Sequence, residues 1–258
     1  FAPAGEISVM RRVATDRVTV ARTPGRHYAF PGLARLANGD LVVVFRDGIE
    51  HVCPFGRIAL VRSRDDGRTW SAPVVIEDTP SDERDPSVHA LPDGRLLVTL
   101  NVWNSWMANP APRQRFAAQT ERIETDGLRA YTGSKMMVSD DGGLTWGEAF
   151  RVSPFSPHGP SLDVDGRLFY IGARTVRPRR RIEFWRAAGG DLRTWTRVAL
   201  VAACDWSDTD RRRIPVYEEP NVAQLPDGTW LACMRVNSDG RVRTSRSTSG
   251  ISASASRA

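Results

Sequence analysis

Four times along the chain a short apolar run follows a tight polar turn. The turns are Asn38-Gly39, Asp93-Gly94, Asp165-Gly166 and Asp227-Gly228. The runs behind them are Leu41–Phe45, Leu96–Leu100, Leu168–Ile171 and Trp230–Met234. Asn-Gly or Asp-Gly between apolar segments predicts a β-hairpin, because these residues tolerate the positive φ that the tight turn demands. Each turn is preceded by a second β-rich segment opening on proline, at Pro31, Pro86, Pro160 and Pro220. A hairpin recurring at intervals that leave room for two more strands predicts an all-β chain of stacked four-stranded sheets, the blades of a β-propeller. The blades are expected at roughly residues 25–80, 81–152, 153–203 and 213–248.

A second repeat sits between the hairpins. Ser63-Arg64-Asp65-Asp66-Gly67-Arg68-Thr69-Trp70 and Ser139-Asp140-Asp141-Gly142-Gly143-Leu144-Thr145-Trp146 both fit S-x-D-x-G-x-T-W. As a turn the pattern makes physical sense. The Asp accepts backbone N–H groups across the turn and the Gly takes positive φ. The Thr is expected to join the next strand, and the Trp to pack between sheets. A decayed version from Ala188 to Thr194-Trp195 keeps only Thr-Trp, and another begins at Ser247-Thr248 but runs on without the rest of the pattern. The small, polar tail 249–258 is expected to lack structure.

Composition removes several functional classes. The chain has 258 residues and starts at Phe1, with no basic–apolar leader. The expectation is a fragment, or a chain from which a signal has been removed; soluble cytoplasmic and secreted locations both fit. No apolar run approaches a membrane span. Cys53, Cys204 and Cys233 are odd in number and widely spaced, and read as structural thiols and not as a disulfide frame or zinc site. The formal net charge is +6, carried almost wholly by arginine, since Lys135 is the only lysine. Arginines spread along the chain without a nucleic-acid motif argue against a nucleic-acid partner. The runs Arg179-Arg180-Arg181 and Arg211-Arg212-Arg213 read as solvated loops. No motif calls for a cofactor or a metal.

In a propeller, equivalent positions of different blades converge on one axial pocket. The strand ends after the four turns place Arg46, Asn101, Arg174 and Arg235 as a candidate substrate-binding ring. Guanidinium reads a carboxylate through two parallel hydrogen bonds, which an ammonium cannot do; surface arginine is the plain alternative. Just before the strand-opening prolines stand Phe30, Asp85, Gly159 and Glu219, with Arg84, His158 and Glu218 upstream. Asp85 and Glu219 are either an acid–base pair for glycoside cleavage, salt-bridge partners of the arginine ring, or solvated turn residues. The loop after Arg46 offers Asp47, Glu50 and His51 as proton donors, and His158 is a further binding candidate. The insertion bearing Trp103, Trp106 and Phe116 forms either a pocket wall on which a sugar stacks or a hydrophobic plug.

With these residues in view, residues 25 to about 248 resemble the sialidase (neuraminidase) superfamily of bacterial Asp-box, or BNR repeat, proteins. The resemblance implies a six-bladed propeller, of which this chain holds about four blades. It also implies retaining, exo-α-sialidase-type cleavage of a terminal sugar. In that family three arginines hold the sialic acid carboxylate, a tyrosine polarised by a glutamate is the nucleophile, and an aspartate is the acid/base. The family's Arg-Ile-Pro reads Ala29-Phe30-Pro31 here, so the first arginine is missing. Arg46 matches an additional pocket arginine, Glu219 the polarising glutamate and Arg235 the second triad arginine. The acid/base aspartate falls near Val52, with Asp47 as a substitute. The third arginine and the tyrosine belong to later blades, and Tyr217 precedes the strand bearing Glu219. The expected partner is therefore a carbohydrate, a sialoside or another glycan, with this chain alone inactive. The alternatives are a non-catalytic carbohydrate-binding or scaffolding propeller and, more remotely, a structural repeat protein.

Overall fold

The computed structural model describes residues 17–127, 132–153, 158–176, 179–188, 190–205, 217–236 and 242–247. The tail 249–258 and the run Arg211–Arg213 lie outside the described residues. The strands fall into four antiparallel sheets. The first holds β1 (His27–Arg35), β2 (Leu41–Gly48), β3 (Arg57–Ser63) and β4 (Val74–Glu77), hydrogen-bonded in that order. The second holds β5 (Glu83–Ala90), β6 (Leu96–Val102), β7 (Gly133–Ser139) and β8 (Phe150–Val152). The third holds β9 (Pro160–Leu162), β10 (Leu168–Val176), β11 (Arg179–Ala188) and β12 (Asp191–Asp205). The fourth shows β13 (Tyr217–Gln224), β14 (Trp230–Val236) and β15 (Val242–Ser247). These are blades of a partial β-propeller.

All four predicted hairpins form, and they close alike. Leu36 N–H donates to Asp40 O at 2.8 Å and Gly39 N–H to Leu36 O at 2.9 Å; Leu91/Arg95, Asp163/Arg167 and Leu225/Thr229 repeat the arrangement. The turn glycines take φ of 77 to 91°, a region costly for any residue with a Cβ. Behind the turns, β2 and β6 are buried along their whole length, because each is covered on both faces. Val42 and Val44 pack with Val88 and Val98 between the first two sheets. Leu97 and Met136 meet Leu168 and Tyr170 between the second and third. Ile171 and Ile182 meet Val222 and Trp230 between the third and fourth. Blade-to-blade burial, not any single sheet, makes the core.

The structure differs from the sequence reading in three places. Arg179–Arg181 is not a loop but the start of β11, paired with β10, and Arg180 Nε donates to Tyr217 O at 2.9 Å. Thr69 and Thr145 do not join strands; their hydroxyls donate instead to the turn Asp residues, at 2.6 and 2.5 Å. The insertion between β6 and β7 is helical, with a 3-10 turn (Ser105–Ala108), α1 (Pro110–Arg115) and α2 (Ala117–Thr125). Within it Trp106, Phe116 and Ile123 close over Cys53, so this part is the hydrophobic plug, while Trp103 stays 53% exposed. The cysteines form no disulfide; Cys53 and Cys204 are buried and Cys233 is half-buried.

Candidate functional site

The innermost strand of each blade carries a backbone irregularity at the same place. The residue before each strand-opening proline is left-handed: Phe30 (φ 56°), Asp85 (φ 49°), Gly159 (φ 74°) and Glu219 (φ 49°). Pairing registers skip there, between Ala29 and Gly32, Arg84 and Ser87, and Glu218 and Asn221. Left-handed backbone costs a residue with a Cβ roughly 1–2 kcal/mol, and proline restricts its predecessor further. Among the described residues, Asp66 is the one other non-glycine at positive φ. Such bulges re-aim side chains, and strain of this kind gathers at binding sites. Here it turns Phe30, Asp85 and Glu219 out of the strand alternation at one end of the blades. That end is the mouth.

Beneath the mouth, β1, β5, β9 and β13 line an axial cleft of ≈ 420 Å³, with Arg35, Ser87, His89, His158, Ser161 and Asn221 among its walls. Gly159 lies so close to its neighbours that a Cβ there would sit 2.6 Å from Thr99 Oγ1 and 2.9 Å from His89 Nε2. His89 itself is neutral at ordinary pH, since burial holds it down to about 4.

At the mouth the second, third and fourth blades contribute Asp85, His158 and Glu219. Burial pushes the Asp85 carboxyl upward, against Arg84 and His158, which both favour the ionised form. Asn101 is buried and fixed by Ser134, whose hydroxyl donates to its Oδ1 at 2.7 Å. His158 is lowered by burial, while Glu219 and Asp85 both pull it back up; the imidazole thus lies in the field of both carboxylates. Arg235 forks onto two of them, Nη1 at 2.9 Å from Glu219 Oε1 and Nη2 at 3.0 Å from Glu218 Oε2. His51 rests edge-on against His27 and near the Phe30 ring, its pKa lowered by partial burial and by Arg84.

Other expected site residues have different surroundings. Arg46 is fully buried. Its Nε donates to Asp82 Oδ1 at 2.8 Å, Nη1 to Glu50 O at 2.8 Å and Nη2 to Cys53 Sγ at 3.3 Å. Asp47 points the other way along β2 and is locked by Arg26 Nε at 2.5 Å and Arg57 Nε at 3.0 Å. Arg46 ties the loop between β2 and β3 to Asp82. Glu50 also pairs with Arg115 of α1. Arg174 is off the ring. Counted from the residues that close the hairpins, Leu41, Leu96, Trp230 and Leu168, the position of Arg46, Asn101 and Arg235 falls on Ala173 in the third blade. Ala173 is buried, and Arg174, one residue on, lies exposed on the opposite face.

Two mouth residues were not among the candidate site residues: Asp82, and Arg84, which the sequence marked only as the neighbour of Asp85. Asp82 is wholly buried and bonded to Arg46, with Arg84 Nη1 at 3.4 Å from its other oxygen. Burial pushes it up to about 6 despite both arginines. Arg84 lies between the rings of Phe30 (5.3 Å) and Trp103 (5.8 Å). Its place two residues before Pro86, matching Ala29, His158 and Glu218, was the available signal. Among the described residues no group of His, Cys, Asp and Glu is placed to hold a metal ion.

No protein-family model and no curated protein matches this chain. Solved structures do. A protein of unknown function from Dyadobacter fermentans aligns over 90% of this chain and 69% of its own, at 22% identity and TM-score 0.68. A Hadza microbial sialidase aligns over 87% of this chain and 45% of its own, at 19% identity and TM-score 0.59. Trypanosoma rangeli sialidase, solved with sialic acid, aligns over 87% of this chain and 36% of its own, at 16% identity and TM-score 0.60. The chain therefore spans less than half the length of these two sialidases. At such identities the likeness is one of fold, and that fold is the sialidase-like one of glycoside hydrolases.

Proposed function

We propose that this chain carries part of the pocket of a glycoside hydrolase that cleaves a terminal sugar, with Asp85 and Glu219 as the working carboxylates. The observation that carries the reading is their equivalence. They occupy the same left-handed position on the second and fourth blades, and His158 of the third blade lies in the field of both. Glycoside cleavage asks one carboxyl to give a proton to the leaving oxygen and the other to act as a carboxylate. Asp85 suits the first role, because burial favours its neutral form. Glu219 suits the second, since it is ion-paired with Arg235 and partly open to solvent. His158 positions Asp85 and contacts the sugar, and exposed Trp103 offers a face on which a sugar ring stacks.

A second reading, a carbohydrate-binding propeller without catalysis, is favoured by Ala29 in the place of the first arginine and by the locked states of Arg46 and Asp47. One assay separates the two. The protein at its full length is incubated with fluorogenic glycosides of several sugars. The hydrolase reading expects release that falls at least about a hundredfold in Glu219→Gln and in Asp85→Asn, with circular dichroism unchanged. Sugar binding without release, in the wild-type chain, supports the second reading.

A further inference from the structure

We infer that the mouth is built for a terminal sugar that carries no carboxylate, a neutral glycoside and not a sialoside. The inference rests on the glycan-pocket reading above and narrows its substrate class.

Recognition of a carboxylate needs guanidinium N–H groups that are free to turn toward the ligand. The three guanidiniums brought to the described mouth are either engaged or, in Arg84, whose Nε has no hydrogen-bond partner, buried. Arg46 is enclosed: a Cβ on Gly48 would lie 2.4 Å from its Nη1, and one on Gly56 2.6 Å from its Nε. No ligand reaches it without opening that cage and separating it from Asp82. Arg84 is 6% exposed at its side chain, covered by two aromatic rings, and faces Asp82 at 3.4 Å and Asp85 at 3.9 Å. Arg235 is the most open, at 48%, but Glu218 and Glu219 already take both arms of its fork. The position opposite Arg46 in β1 is Ala29, which brings no charge.

Charge points the same way. Arg46, Arg84 and Arg235 stand against Asp82, Asp85, Glu218 and Glu219; with Asp85 holding its proton, the three guanidiniums are matched by three carboxylates. Burial lowers His51 and His158, so these imidazoles favour the neutral form and add no positive charge. A ligand carboxylate would meet no spare positive charge and would compete with an internal carboxylate for the guanidiniums. Sugar hydroxyls fit the same groups well. They donate to Asp85, Glu218 and Glu219, and accept from the outer N–H groups of Arg235, without displacing any ion pair.

The test is saturation-transfer NMR and calorimetric titration of the full chain with a panel of neutral methyl glycosides and with N-acetylneuraminic acid. The expected result is binding of at least one neutral glycoside, with N-acetylneuraminic acid weaker by about a hundredfold or more. The double variant Glu218→Gln/Glu219→Gln frees Arg235 and removes two negative charges. It is expected to gain affinity for N-acetylneuraminic acid by roughly tenfold, with the circular dichroism of the parent. Tighter binding of N-acetylneuraminic acid than of every neutral glycoside by the wild-type chain overturns the inference while leaving the glycan pocket intact. Binding of no sugar at all overturns the glycan pocket, and the inference with it.

Discussion

The two ends of the blades are built by opposite means. At the turn end, the Ser, Asp and Thr of each S-x-D-x-G-x-T-W segment bond within the segment. Asp65 accepts from the Thr69 hydroxyl at 2.6 Å and the Thr69 N–H at 2.9 Å, while Ser63 Oγ accepts the Gly67 N–H at 2.8 Å. The second segment repeats these bonds through Asp141, Thr145, Ser139 and Gly143. The decayed third one retains the tryptophan bond. Trp195 Nε1 donates to Leu192 O at 2.9 Å, as Trp70 Nε1 does to Gly67 O at 3.0 Å. At the mouth, contacts also cross between distant segments: Arg46 to Asp82, Arg84 to Phe30, and His158 in the field of carboxylates from two other blades. Short-range turns are robust and replaceable. The mouth depends on many partners at once, so a single change there propagates.

Stability measurements can sharpen that contrast. The largest effect is expected for Asp82→Ala, which leaves the Arg46 charge buried and unpaired. Chemical denaturation should show a loss of about 3–5 kcal/mol, and a loss below about 1 kcal/mol would remove the distinction between the two ends. Next is Gly159→Ala, where a Cβ meets Thr99 and His89 on a backbone that disfavours it. A cost of about 1–3 kcal/mol is expected from the same experiment.

Glu83→Gln should act in the opposite sense. Glu83 is wholly buried, its Oε2 has no hydrogen-bond partner, and burial pushes its pKa up to about 8. A carboxyl raised on folding binds its proton more tightly in the folded chain. Stability is therefore lost as pH rises from the unfolded value near 4.5 to about 8. The glutamine variant escapes that loss. It should be more stable than the parent by on the order of 1 kcal/mol at pH 8, with the gain vanishing near pH 4, as thermal melts across this range would reveal.

The smallest effect is expected for Asp65→Ala, whose melting temperature should fall less than that of Asp82→Ala. Its pH dependence has the reverse sign. The Thr69 bonds lower Asp65 to about 2, so its contribution is present above 3.8 and fades as pH falls toward 2. An acid limb unchanged in the variant would show that the turn bonds do not contribute to stability.

How much could be read in advance follows the same division. The hairpins, the order of the strands and the repeated turns were legible because each depends on residues a few positions apart. So was the equivalence of Asp85 and Glu219, since both precede a proline at the same distance from a turn. The ring of Arg46, Asn101, Arg174 and Arg235 was only partly legible. Counting along the chain placed Arg174 one residue out of step, and in a strand one residue reverses the face.

Sequence alone was enough for the fold, because turn chemistry and two-residue periodicity are written locally and repeated four times. Charge assignment at the mouth was not written there. Arg46 and Arg235 look alike as residues at matching strand ends. One is sealed against Asp82 from the next blade, and the other lies open with Glu218 and Glu219 from its own blade. Which arginine can meet a ligand depends on what covers it, and that is decided only when the blades pack.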